Sequence, residues 1–263
     1  MRIRLNMYKS KERCVADMAA DVAIALQAGL HDLAARTAAG TLGVLMPGGS
    51  TPQSFFSVLC RHHLTLPVDF LPDANCRNGW QCITIAPTDE RRAPEDDPAC
   101  NASMIRSTLL QHQAQAAHFV GLEPNNPTPC VTTHIPPRPL DVAILGMGAD
   151  GHIAGLFADG TAQGHQSTMH GMPQDIVLCQ RADGLQGISF SMDALCAAKT
   201  LYILCGGEDK SNAMAHILRT MPNTIPLAQL LQRRQNITDI YMFDVPDAEA
   251  LQAALQARAD GAS

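Results

Sequence analysis

The chain of 263 residues carries a formal charge of −6, with 46% hydrophobic and 17% charged residues, so it has apolar content for a buried core and is excluded from the disordered, collagenous and coiled-coil classes. The acidic balance, relieved only by the basic cluster Arg2, Arg4, Lys9, Lys11 and Arg13, argues against nucleic acid as a partner. Nine scattered cysteines without a CxxC pair, no signal-peptide core and no run of about 18 apolar residues point to reduced thiols in a cytoplasmic protein with no membrane partner.

Apolar residues at helical spacing, from Ala19 and Val22 through Leu26, Leu30 and Leu33, predict a helix over 15–39 that Gly40 stops. A strand over 42–46 follows, then the turn Gly48-Gly49-Ser50-Thr51-Pro52 and a helix over 54–63. Next come a strand over 81–86, a helix over 101–112 and a strand over 141–145. Strands over 176–180 and 200–205, a helix over 208–219, a strand over 239–243 and a helix over 247–258 complete the alternation. Such a pattern predicts an α/β fold: a doubly wound, mostly parallel sheet with helices on both faces, in a single domain over 1–263. Ligands of such sheets bind at the carboxyl ends of the strands. Six prolines between Leu122 and Leu140 predict a surface connection there.

Four segments carry chemistry. In the first, Gly48 and Gly49 permit close backbone approach, Thr51 can cap and Pro52 suits the first helical position, so the exposed amides attract an anion. No Walker lysine follows, and the same turn also fits an ordinary strand-to-helix connection. The second is DVAILGMGADGHIAGLF over 141–157. Gly146, Gly148 and Gly151 satisfy G-x-G-x-x-G, but Gly155 and Gly160 interrupt the helix a dinucleotide site requires, and Gln180 and Arg181 stand where an acidic residue is needed. What distinguishes this loop is Asp150 two residues before His152. Histidine, with a reference pKa of about 6.5, serves as a general base near neutral pH, and a carboxylate beside it orients the ring. The other nine histidines are read as packing or surface residues.

The third segment, Thr88-Asp89-Glu90-Arg91-Arg92, places two carboxylates and two guanidiniums at a strand's end, where they either position a polyhydroxylated anion or form a solvated charged loop. The fourth, Gly206-Gly207-Glu208-Asp209-Lys210, sets a lysine in the first turn of a helix, where it suits an anion better than it suits the helix. No HExxH or paired cysteines occur, so no metal site is expected, and no GxSxG elbow marks a serine hydrolase.

Taken in order, VLMPGGSTPQSFFSVL, TDERRAPEDDPACNASMIRSTLL, DVAILGMGADGHIAGLF and ISFSMDALCAAKTLYILCGGEDKSNAM resemble the 6-phosphogluconolactonase family, related to glucosamine-6-phosphate deaminase and ribose-5-phosphate isomerase. The resemblance spans roughly residues 15 to 245 and implies hydrolysis of 6-phospho-D-glucono-1,5-lactone in the pentose phosphate pathway. By position it implies a substrate phosphate near Gly48, Gly49, Ser50, Thr51 and Lys210, with Asp89 and Arg91 along the sugar and His152, oriented by Asp150, as the base. Gly148 and Gly151 join the substrate-binding backbone. Three positions depart from the family pattern: Ala86-Pro87-Thr88 before Asp89, Gly155 in place of a serine, and Gly187 in place of an arginine. Arg181 and Lys210 are expected to replace the lost cation at Gly187. The resemblance implies that no metal or organic cofactor is required. No cysteine is expected to be essential, Cys100 being the one to watch because it stands where the family usually has serine. The rival readings are an isomerase or deaminase, whose catalytic glutamate position holds Phe157 here, and a catalytically inactive sugar-phosphate-binding regulator.

Overall fold

Alternate residues of each central strand point into opposite cores, and this period of two organises the molecule. The computed structural model describes residues 2–35, 40–66, 78–94, 96–123, 130–131, 140–158, 175–180 and 186–260. Its elements begin with β1 (Ile3–Tyr8), α1 (Lys11–Ala35), β2 (Leu42–Met46), α2 (Gln53–Leu59), β3 (Ile83–Pro87), β4 (Asp89–Arg91) and α3 (Asn101–Thr108). They continue with β5 (His118–Phe119), β6 (Leu122–Glu123), β7 (Cys130–Val131), β8 (Val142–Gly146), β9 (Ile176–Gln180) and β10 (Gln186–Phe190). The chain then runs through α4 (Met192–Ala197), β11 (Thr200–Gly206), α5 (Glu208–Thr220), α6 (Pro226–Arg233), β12 (Thr238–Phe243) and α7 (Ala248–Asp260).

Seven strands form the main sheet in the order β1-β12-β11-β8-β2-β3-β5, every neighbouring pair parallel. Val44, Val142, Ile144, Tyr202, Leu204 and Tyr241 face a core completed by α1, α2 and α3. Leu45, Ala143, Leu145, Leu201, Ile203 and Met242 face the other, completed by α4, α5, α6 and α7. Helices thus cover both faces, as the alternation predicts. By length and composition α1 could span a bilayer, but its apolar stripe, including Val15, Met18, Val22, Leu26 and Leu30, is buried against the sheet.

Four features differ from the sequence expectation. The basic N-terminal segment is an edge strand, β1, whose polar residues alternate with apolar ones that pack on the core. The strand over 176–180 lies outside the parallel sheet: β9 pairs antiparallel with β10, which pairs antiparallel with β4, because β10 follows within a few residues and needs no crossover. Helix α2 starts at Gln53 with Pro52 at the N-cap position and no capping side chain, so Thr51 does not cap it. Within the proline-rich stretch the short strands β6 and β7 pair antiparallel, and residues 124–129 and 132–139 lie outside the described residues.

Candidate active site

Strands β2 and β8 are neighbours, yet the chain continues from β2 outward to β3 and from β8 the opposite way to β11, so the loops following them diverge and leave a crevice at the carboxyl edge. An open cleft of about 230 Å³ occupies it. Residues 47–52 after β2 form one wall, Asp89 and Arg91 of β4 with Asn101 of α3 a second, Gly148, His152 and Ala154 after β8 a third, and Lys210 of α5 closes the fourth. Four segments far apart in sequence therefore meet, and Gly48, Gly49, Ser50, Thr51, Asp89, Arg91, Gly148, His152 and Lys210 all line one cavity. Gly151 sits behind the loop instead. Its φ of +80° is in the left-handed region, and a Cβ there would lie 2.4 Å from Ile225 Cγ2, so it shapes the turn that carries Asp150 and His152. Arg181 lies outside the described residues.

His152 Nδ1 and Asp150 Oδ1 are 2.6 Å apart, and the His152 backbone N–H donates to the same oxygen at 3.1 Å. Burial pushes the Asp150 carboxyl up, but the backbone and ring contacts with His152 outweigh it and hold the group below the usual carboxylate range. Gly148 makes room for the pair, since a Cβ there would stand 2.1 Å from His152 Nδ1 and 2.5 Å from Asp150 Oδ1. The Phe157 ring packs on the imidazole with centroids 4.7 Å apart. Ala154, next to this turn, takes φ +49°, a conformation costing a non-glycine residue roughly 1–2 kcal/mol and typical of functional loops. The Gly155 N–H donates to Ser189 Oγ at 3.1 Å, tying the loop to β10.

On the opposite wall, burial pushes the Asp89 carboxyl up, while Thr88 Oγ1, donating at 2.7 Å, and the nearby Arg91 and His152 oppose the shift. Glu90, expected in a charged loop, is 4% exposed and turns the other way. Its two oxygens accept the backbone N–H groups of Asn101 (2.8 Å) and Ala102 (2.7 Å), capping α3 and fixing β4 against it. Gly187 pairs with Arg91, and a Cβ at 187 would approach the Glu90 carbonyl to 2.3 Å, so β10 and β4 come together only around a glycine. Behind His152 a smaller cavity of about 30 Å³ is lined by Gly155, Gly187 and Cys179, whose thiol burial pushes up to about 12. Cys100 lies at the N-cap of α3, where its Sγ accepts the Ser103 N–H at 3.4 Å.

Sequence reasoning did not single out Asn101, Ala154 or Cys179. An asparagine opening a helix just downstream of the Asp89 segment was the one available signal; the strain at Ala154 and the approach of Cys179 arise only from tertiary packing. Among the described residues no group of three or more His, Cys, Asp or Glu is placed to hold a metal ion.

The family described as glucosamine-6-phosphate isomerases/6-phosphogluconolactonase matches residues 9–239. The chain belongs to this family. It is 28% identical to a 6-phosphogluconolactonase of Rhizobium meliloti (strain 1021) over 228 residues, covering 83% of this chain and 92% of the relative. A 6-phosphogluconolactonase of Mesorhizobium japonicum is 33% identical over 147 residues, where the match covers 52% of this chain and 56% of the relative. Among solved structures, a 6-phosphogluconolactonase from Shewanella baltica superposes with a TM-score of 0.74 at 24% identity, over 91% of this chain and 97% of that one. One from Plasmodium vivax gives 0.69 at 16% identity over 96% and 95%. At these identities the structural likeness establishes the shared fold. The mostly parallel sheet with helices is that of the 6-phosphogluconolactonase structures.

Proposed function

We propose that this protein hydrolyses 6-phospho-D-glucono-1,5-lactone to 6-phosphogluconate in the cytoplasmic pentose phosphate pathway. The observation that carries the reading is His152, held by Asp150 at 2.6 Å from outside the lining and itself facing a cleft that also holds Arg91, Lys210 and the glycine turn after β2. The glycine turn and Lys210 receive the phosphate, with Arg181 as the expected second cation; Asp89 and Arg91 run along the sugar. The other ring nitrogen of His152, Nε2, takes a proton from water as its oxygen bonds to the lactone carbonyl carbon. Arg91 and backbone amides steady the oxyanion. Collapse of the tetrahedral intermediate breaks the bond to the ring oxygen, and that oxygen takes the proton back from His152. Asp150 holds the imidazole in the required tautomer. Phe157 favours hydrolysis over deamination, since a phenyl ring against His152 has no proton to exchange.

The test is loss of lactone with purified protein measured against spontaneous hydrolysis, with and without chelator. Acceleration that survives chelator is expected. No acceleration overturns the reading and leaves a sugar-phosphate-binding regulator; loss with chelator and recovery with zinc overturns the mechanism.

A further inference from the structure

Asn101 belongs to none of the glycine or charged motifs, yet it is 3% exposed at the junction of two cleft walls. Its side-chain Nδ2 donates to the Asp89 carbonyl at 2.7 Å and lies 3.4 Å from the Asp89 carboxylate Oδ2. Its Oδ1 rests against Gly48, where a Cβ would come within 1.9 Å. One buried carboxamide therefore touches the residue along the sugar wall and the first residue of the glycine turn. Its backbone N–H is independently held by Glu90, so the side chain starts from a fixed base.

We propose that Asn101 is a positioning residue that holds the Asp89 carboxylate in register with the glycine turn after β2. Both oxygens of that carboxylate then have a neutral donor, Thr88 Oγ1–H on Oδ1 and Asn101 Nδ2–H on Oδ2. The charged and titratable groups acting on it are Arg91 on its own strand, His152 from the loop after β8, Cys179 from β9 and, from the opposite side of β4, Glu90. Burial disfavours the ionised form of Asp89, and an amide donor favours it; removing that donor must raise the pH at which Asp89 gives up its proton. The contact also explains why position 48 is glycine: any side chain there would push the carboxamide off Asp89.

The inference deepens the lactonase reading and rests on it for its kinetic arm only. The experiment compares wild type, Asn101→Leu, which keeps the branched outline and loses the donor, and Asn101→Asp, which turns an acceptor toward Asp89. Carboxyl-carbon NMR follows the Asp89 titration, and kcat and KM are measured on the phosphorylated lactone. The expected result is an Asp89 midpoint at higher pH in both variants, further for Asn101→Asp, with kcat lower by about tenfold or more and KM nearly unchanged. If Asn101→Asp does not fold, judged by the fluorescence of buried Trp80, Asn101→Leu carries the test alone. An Asp89 midpoint that stays put, or a loss of stability with kcat intact, overturns the proposal. Should wild type turn over no lactone, the functional reading fails while the NMR titration still decides the role of Asn101.

Discussion

At the scale of single residues, the Asp150–His152 pair was legible because two chemistry-bearing side chains stood two positions apart in a glycine-rich loop at a strand's end. Removing the base should show in the chemical step: His152→Ala is expected to lower kcat by about 10²-fold or more with the fold intact, the range typical of lost general-base help. Asp150→Asn should cost less, because it removes only the group that orients the ring. Asp150 lies below its ordinary range, so it stays ionised through mildly acidic pH and the pair persists there. Near-normal kcat in the His152 variant would move the base elsewhere, with Asp89 the first alternative. Lys210 makes a different prediction. A charge-assisted bond to phosphate is worth about 1.5–3 kcal/mol, so Lys210→Ala should raise KM roughly ten- to hundredfold on the phosphorylated lactone. Comparison with the unphosphorylated lactone isolates the effect, and an equal rise on both would remove Lys210 from the phosphate. Asn101 shows what stayed hidden: an asparagine at a helix start reads as local structure until the fold brings Asp89 and Gly48 to it.

At the scale of elements, period and punctuation located the long helices and central strands to within a few residues, because the helices carry one apolar stripe and the strands are short continuous apolar runs buried on both faces. What escaped were a strand whose sequence speaks for something else and a helix whose signals were present. The three residues of β4 read as a charged loop, since a strand this short has no period and its identity comes from pairing with β10. α6 was missed although Pro226 at its start and Leu227, Leu230 and Leu231 at helical spacing announce it. Glu90 anchors the first of these elements, β4. Its carboxylate accepts the N–H groups of Arg91, Asn101 and Ala102, so it ties β4 to the first turn of α3. Glu90→Ala leaves those buried donors unpaired and is expected to cost about 1.5–3 kcal/mol in urea denaturation, a loss of the size seen for charged hydrogen-bond partners. Because β4 also carries Asp89 and Arg91, activity should fall before the protein unfolds. Unchanged stability would mean that water replaces the carboxylate at the helix start.

At the scale of the whole molecule, the alternation of strands and helices foretold the class and the helices on both faces, while the strand order rests on pairings between distant segments that no local pattern encodes. One consequence of that order is electrostatic. The strands β1, β12 and β11 lie side by side and bring all three tyrosines of the chain together beneath α1: Tyr8 stacks on Tyr241 with centroids 6.3 Å apart, Tyr202 is 6.2 Å from Tyr241, and Tyr241 Oη donates to the Asp21 carboxylate. Burial, reinforced by nearby aspartates, raises all three phenols, Tyr8 to about 12. Burial likewise pushes the Cys14, Cys179 and Cys205 thiols to about 12. In the unfolded chain thiols ionise near pH 8.5 and phenols near 10. Below those values both states hold these protons and the groups add no pH dependence. Above them the unfolded chain releases protons that the native protein keeps, so the native state binds more protons and stability falls as pH rises. Each group ionised in the unfolded chain and protonated in the native protein then contributes a slope approaching about 1.4 kcal/mol per pH unit. Urea midpoints followed by Trp80 fluorescence should therefore drop steadily from about pH 8.5 to about pH 11. Tyrosinate absorbance should appear together with unfolding and not before it. Phenol ionisation in a protein that remains folded would show that the cluster under α1 is open to water, and that β1, β12 and β11 do not bury it as described.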